Sequence, residues 1–594
     1  MKKNPTKIAL ILLLFCFNGL FAQIMLKEIS LKEQIDNSTM IVEGEVIAKK
    51  SFWSNNLIYT ANTVKVHKVF KGQPEKLVEV ITVGGSVGLE ALMISHGLKL
   101  QKGSTGLFML KDSNIINPSG KTTSKSYQVY SAVQGFYKYN LYDDKAVNPF
   151  KVKEGITTTF YPEIISFTNR NYDEVSSFNV KNYSKSAIQN KSLAPVISGF
   201  SPSVITAGTK SQLTITGSGF GVAGGVSAVK FPDADDGGST FVSALDTQIV
   251  SWSDTEIIVE VPSGAGTGKL RVTDAGGASG NAATDLTILY SELNREFDPG
   301  TGTEAYPLQH YAQNFQTGGY QWKMQTDFFN DIEHPGAKAS FERAMETWRC
   351  NTLINWTVST TPTIVDVADF DGTNVIRFDD GPELPNGVLG TCYTYTNGCV
   401  NGSTFDFYVV ELDIVFNDTE TWYFGTGDPG VAWDFESVAV HELGHGHQLG
   451  HVIDTNAIMH YSLSASEFNR ILSTNDIDGA SDVQARSTTN QVCLLDLMTD
   501  YAGTCSLSVN DAFLNETIRM YPNPSNGQIF ITHDNNLNLT TLSIFELSGR
   551  KIADFDLLGS SNRKEVNLQN LSKGMYLVNI YSDTGFVTKK LILE

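Results

Sequence analysis

The chain has 594 residues, a net charge of −20 and a pI near 5.0. An acidic chain with no basic run excludes nucleic-acid binding as its business. Its length predicts several domains, and 51 glycines with few long helical patterns point to mostly β modules.

Taken in order, residues 1–22 read as a secretory signal peptide. Lys2, Lys3 and Lys7 precede an apolar run that ends in small residues and Ala22, with cleavage expected before Gln23. The run is too short to span a bilayer, and no other stretch is long and apolar enough, so an exported chain with no transmembrane segment is predicted. Cys16 leaves with the signal. In an oxidising compartment, Cys392 with Cys399 and Cys493 with Cys505 are expected to pair across short loops, leaving Cys350 over.

Residues 23–190 open with a short helical stretch (Leu26 to Asp36), followed by alternating strand-like runs. A small β-barrel or sandwich is predicted, faintly resembling OB-like barrels, and no residue in it is assigned chemistry. Residues 194–289 carry Ser201-Pro202, Gly217-Ser218-Gly219-Phe220 and the strand Thr255 to Pro262. These resemble the IPT/TIG module, an immunoglobulin-like sandwich that is expected to serve as a spacer.

Residues 290–486 hold the chemistry. Pro335 opens a helix with Phe341, Ala344, Met345 and Trp348 on one face, and strands are predicted at Asn374 to Phe378 and Glu411 to Asn417. A second helix starts near Asp434, with Phe435, Val438, Ala439 and Leu443 at helical spacing. His441 and His445, four residues apart, project from the same face and can hold one zinc ion. Glu442 stands where it can take a proton from an attacking water. His451 offers a third imidazole if the chain bends back after the helix, leaving the fourth position open as a catalytic zinc site requires.

His441, Glu442, His445 and His451, followed by Ala457-Ile458-Met459-His460-Tyr461, resemble the metzincin zinc peptidases, and most closely the matrixin branch. The resemblance implies an α+β catalytic domain, protein or peptide substrates, a supporting Met459 beneath the metal and an edge strand at Gly387 to Tyr395 that pairs with an extended substrate. Tyr461 is a candidate zinc or transition-state contact. The sequence departs from the family at Gln448, where the pattern has glycine. Glutamine can take the left-handed turn at a cost of about 1 kcal/mol. Gly450 could bend instead; His447 points to the opposite side of the helix, and Asp454 is a further substitute ligand. Asp366, Asp369, Asp371, Asp379 and Asp380 could bind Ca2+, although a solvated acidic surface is the preferred reading. The N-terminal segment lacks cysteine, so the cysteine-switch latency of the family is not available from it.

After a linker at 487–512, residues 513–594 carry Tyr521-Pro522-Asn523-Pro524, Gly527, Gly574, Tyr576, Lys589 and Lys590. They resemble the C-terminal sorting domain of type IX secretion, a β-sandwich, which implies export through the periplasm and outer membrane by that machinery. The expected whole is a multidomain protein, with a metzincin domain among all-β modules, acting as a secreted zinc endopeptidase. Rival readings are a surface adhesin built on a degenerate peptidase scaffold and a zinc amidase acting on peptidoglycan or glycoprotein.

Overall fold

The computed structural model describes residues 26–118, 125–180, 194–314, 316–381, 383–462, 468–503, 505, 518–533, 539–546, 551–557, 563–582 and 585–594. The expected signal peptide lies outside them. Within them the protein is multidomain and mostly β with few helices. Among the described residues no helix is long and apolar enough to cross a membrane.

A helix at Leu31–Asn37, capped by Ser30, leads into β1 (Met40–Ser54), β2 (Leu57–Lys71) and β3 (Leu77–Val83). Along β2, Val64 and Val66 are buried while Lys65 between them is exposed, the alternation of a sheet with one face on a core. At Gly84 and Gly85 the backbone takes φ of +91° and +139°, and the chain leaves this sheet as a hairpin of β4 (Gly85–Val87) and β5 (Glu90–Ile94). It returns as β6 (Thr105–Asp112), which pairs with β1, and β7 (Ser126–Val129), which joins β3 to β6. That ring of pairings closes a five-stranded barrel.

The next body stacks strands from Val196–Ser201 to Thr287–Glu292 around Leu213, Ile215, Val229, Phe231, Ile257, Val259 and Val272. Two of its strands, β8 (Val204–Ala207) and β9 (Thr287–Glu292), run parallel to each other.

The sheet that carries the site contains β10 (Tyr320–Met324), β11 (Trp356–Val358), β12 (Asn374–Phe378), β13 (Gly390–Asn401) and β14 (Thr404–Phe416). Its order is β11-β10-β12-β14-β13-β5-β4. β11, β10, β12 and β14 are parallel, and β13 is antiparallel to β14. Helix α1 (Ala337–Thr352) starts two residues after Pro335 and buries Phe341, Ala344, Met345 and Trp348 against α2 (Phe435–Gly446). The Trp348 indole N–H donates to the Val440 carbonyl (2.7 Å), which fixes the spacing of the two helices. β15 (Leu449–Gly450) follows α2, and α3 (Thr474–Thr489), capped by Ser473, closes the body. In the C-terminal part, two sheets share a core that includes Ile529, Ile531, Leu542, Ile544, Val578 and Ile580.

Two expectations are overturned. The cysteines pair as Cys350–Cys505 and Cys399–Cys493, and Cys392 is free and buried. Cys392 and Cys399 lie seven residues apart on the single extended strand β13. That separates them by roughly 23 Å, far beyond disulfide reach. The bridges therefore tie the segment after α3 back onto the catalytic body, to α1 and to β13, rather than stapling a free linker. The edge strand is not unpaired either. β13 binds β14 on one side and β5 of the N-terminal domain on the other, with Tyr393 opposite Ile94 and Tyr395 opposite Leu92.

Candidate metal centre

Helix α2 begins where Asp434 accepts the Ser437 amide N–H (2.9 Å), and the Arg470 guanidinium holds the same carboxylate. The helix is buried on all sides, so the imidazoles of His441 and His445 are clamped by packing. After the helix, Gln448 itself takes the left-handed conformation, with φ of +69°, while Gly450 is not among the positive-φ glycines. The Gln448 amide donates to the Gly446 carbonyl (2.9 Å), offsetting the strain expected of a side chain there. The backbone then pairs with the end of β9, where the chain passes from the second body to this one: Leu449 lies opposite Glu292 and Gly450 opposite Ser291, and the Leu293 amide donates to the Gln448 carbonyl (2.8 Å). The turn that delivers His451 is thus held by the junction of the two bodies.

His441, His445 and His451 converge. His445 Nε2 lies 3.0 Å and His451 Nε2 3.3 Å from His441 Nε2. Each Nδ1 has an acceptor that cannot donate: the carbonyl of Ile458 for His441 (2.8 Å), the carbonyl of Leu449 for His445 (2.9 Å), and Asp235 Oδ1 for His451 (2.7 Å). Nδ1 must therefore carry the proton in each ring, which leaves three bare Nε2 lone pairs facing one another. Burial pushes the three imidazoles down to about 3, 3 and 4, so they are neutral at pH 7. Three converging lone pairs repel unless a cation lies between them. Their spacing also matches the roughly 3.3 Å between nitrogens on a tetrahedral zinc with bonds of about 2.0–2.1 Å. The residues fit the metal.

Beneath the centre, Met459 packs against the helix at Gly444, where an added Cβ would fall 2.2 Å from the methionine sulfur. Asp476 of α3 accepts the amides of Ile458 (2.8 Å) and Met459 (3.2 Å), so one carboxylate fixes both the floor and the carbonyl that orients His441. Tyr461 is placed against Gly237 of the second domain and bonds to Ser462. His447 points away from the other imidazoles, its Nε2 3.1 Å from Thr352 Oγ1 and its ring against Trp348 and Trp356. The acidic residues considered for calcium are engaged in part elsewhere: Asp379 accepts the amides of Leu384 and Asp418, Asp371 that of Thr373, and Asp366 meets Arg377.

Sequence reasoning missed two groups. Asp235 comes from the module read as a spacer, in the short 3-10 helix Ala234–Asp236 that follows the strand at Ala228–Pro232. Against the desolvation that raises it, Lys99 and the His451 N–H hold its carboxyl well below the usual carboxylate range. His96 comes from the barrel domain, to which no chemistry was assigned, and joins the other three imidazoles in a buried cluster. One ring nitrogen of each lies within 4.8 Å of the others. Glu442 is buried, with Oε1 2.9 Å from His96 Nε2 and Oε2 accepting the Ser95 hydroxyl (2.9 Å). Burial works against its charge, but the imidazoles, His96 first, pull its pKa below the ordinary glutamate value. No local pattern in residues 84–98 marks this role; it exists only once the hairpin has docked.

Residues 315–484 match the Matrixin family model, residues 195–288 the IPT/TIG domain, and residues 519–594 the secretion system C-terminal sorting domain. The segment that holds the centre is therefore similar to a metallopeptidase family, and zinc is the metal that this likeness implies. The sorting domain indicates export, to the medium or the cell surface. Metalloendoproteinase 1 of Glycine max is 34% identical over 95 residues, 16% of this chain and 28% of that protein, so the chain spans under a third of the relative's length. Among solved structures, a γ-CGTase from Alkalophilic bacillus clarkii is 14% identical and covers 42% of this chain and 27% of that one at a TM-score of 0.13. A biofilm-associated protein BSP domain is 8% identical, covers 94% of this chain and 96% of that one, and has a TM-score of 0.11. Neither likeness carries an argument.

Proposed function

We propose that this protein is an exported zinc-dependent endopeptidase of the matrixin-like metzincin type, with its catalytic domain at 290–486. The N-terminal barrel domain is assigned to 23–190, the IPT/TIG module to 194–289 and the sorting domain to 513–594, recognised by type IX secretion machinery. The observation that carries the reading is the convergence of three unprotonated Nε2 atoms beside a buried glutamate. His441, His445 and His451 are the metal ligands and Met459 supports them. When bound, zinc supplies Lewis acidity toward a peptide carbonyl and acidifies a water.

Glu442 is the general base. Its carboxylate takes the proton of the attacking water and passes it to the departing amine nitrogen. With β5 displaced, β13 aligns an extended peptide by backbone hydrogen bonds, since Gly390 at its start lies against Glu442. The low pKa of Glu442 keeps it ionised and ready to accept a proton at neutral pH. The Asp235 carboxylate holds the His451 ring in the Nδ1–H tautomer. Tyr461 is retained as a candidate oxyanion contact, to be tested by Tyr461→Phe.

Mass spectrometry of products from denatured proteins and from glycopeptides, using His96→Ala protein, which lacks the imidazole on Glu442 Oε1, tests the substrate class. New peptide amino termini are expected. Cleavage confined to sugar–amide linkages would replace the endopeptidase reading with an amidase.

A further inference from the structure

We propose that the hairpin of β4 and β5 with the following Ser95-His96 is an internal inhibitor: β5 fills the substrate edge and His96 takes the fourth position of the metal. The inference rests on the zinc-peptidase reading of the same centre.

The geometry is that of a capped tetrahedron. The His96 ring centroid lies 5.8 Å from that of His441, 5.6 Å from His445 and 5.6 Å from His451. The three ligand rings are 4.7, 5.3 and 4.8 Å apart among themselves. A ring almost equidistant from three ligands stands over their triangle, at the vertex a catalytic zinc keeps free for water or substrate. His96 is itself buried, so water does not share that vertex with it.

Three further contacts make the arrangement a block and not a chance approach. First, β5 adds antiparallel to β13, Ala91 to Ile94 opposite Thr396 to Tyr393, and the Ser95 amide continues the ladder to the Cys392 carbonyl (3.1 Å). The other edge of β13 belongs to β14, so no extended peptide can join the sheet here until β5 leaves. Second, both oxygens of Glu442 are engaged by the hairpin, one by His96 and one by Ser95, so the inhibitor stands where a substrate water would meet the base. Third, the hairpin is anchored. Leu92 packs with Ile58 and Tyr395, and Trp53 of β1 stacks on Phe370, while Arg295 reaches Ser86 Oγ (2.7 Å). An imidazole suits the task because it binds zinc firmly while neutral, and the barrel domain has no thiol to use instead.

The test compares full-length zinc-bound protein with its His96→Ala variant, reading the metal's ligands by X-ray absorption and cleavage of a quenched peptide in parallel. Four histidine nitrogens are expected in the parent, and three plus one oxygen in the variant; without the tie from His96 to the metal the hairpin leaves β13 more often, so cleavage rises at least about tenfold. His96→Gln, which keeps the bulk and a hydrogen bond toward Glu442, serves if the alanine variant does not fold, with the same change of ligands expected. A ligand count falling from four to three histidines without any cleavage would support the inhibitor and refute the peptidase. Three histidines and an oxygen in both proteins, with equal cleavage, would overturn the inhibitor and leave the peptidase standing.

Discussion

Two segments from outside the matrixin-like body reach the same histidine cluster, and the proposed reading gives them opposite roles. The hairpin of the barrel domain approaches from the substrate side and sets His96 and Ser95 on Glu442. The short 3-10 helix of the IPT/TIG module approaches from behind His451 and sets Asp235 on its Nδ1. Both are held by charged or polar contacts, and Lys99, just past the hairpin, even faces Asp235 at 3.9 Å. What separates them is which atom they touch. A group on Nδ1 orients a ligand and raises its basicity, whereas a group on the open vertex or on the base competes with the reaction. Domain attachment alone therefore says nothing about support or inhibition; the contacted atom decides.

The comparison can be broken most forcefully at the ligands. His445→Ala removes one of three imidazoles held by the fold, and stoichiometric zinc should be lost in a metal titration; retention at full affinity would dismantle both halves of the comparison. Next comes the contrast of signs. Asp235→Ala should weaken zinc about 10- to 100-fold by competition with a chelator, while the inhibitor reading predicts that His96→Ala raises activity. A His96→Ala variant that loses activity instead of gaining it would mean that the hairpin supports rather than blocks.

A smaller effect is expected at the floor. Gly444→Ala places a methyl against the Met459 sulfur and should cost about 1–3 kcal/mol in denaturant unfolding. A neutral result would show that Met459 moves aside freely.

The pH dependence tests how the imidazoles are buried. His447 is held down to about 3 by burial, below the ordinary value of 6.5, and the three ligands are lowered in the same way. The unfolded chain then binds more protons in acid, so metal-free protein has its full stability above pH 6.5 and loses it as pH falls toward 3. Each such imidazole contributes about 1.4 kcal/mol per pH unit in that window. A melting temperature that stays flat from pH 7 to 4 would contradict the buried, neutral state. The smallest change is predicted for Gln448→Gly, where relief of the left-handed strain and loss of the bond to Gly446 nearly cancel, leaving stability within about 1 kcal/mol.

Much of the inner site was legible because it is local. Helical spacing brings His441 and His445 to one face, and the distance to His451 requires only one turn of backbone. That Gln448 would make this turn was not legible, since its compensation is a bond from its own amide to Gly446. The strand at Asn374–Phe378 was legible from its apolar Val375, Ile376 and Phe378. The cysteine pairs did not follow, because sequence proximity along one strand is distance in space. Asp235 and His96 were illegible for the same physical reason: each acts across more than 200 residues, through docking of a sheet edge or a short helix that no periodicity encodes. Strand β5 was not among the strand-like runs read in the sequence, and its place beside β13 exists only through their pairing.

The most direct measurement is casein cleavage by zinc-bound His96→Ala protein against the His96→Ala, Glu442→Ala double variant. The account predicts one zinc in each, cleavage by the first, and a loss of about 10²- to 10⁴-fold in the second. Equal cleavage by both would contradict Glu442 as the base and, with it, the central claim.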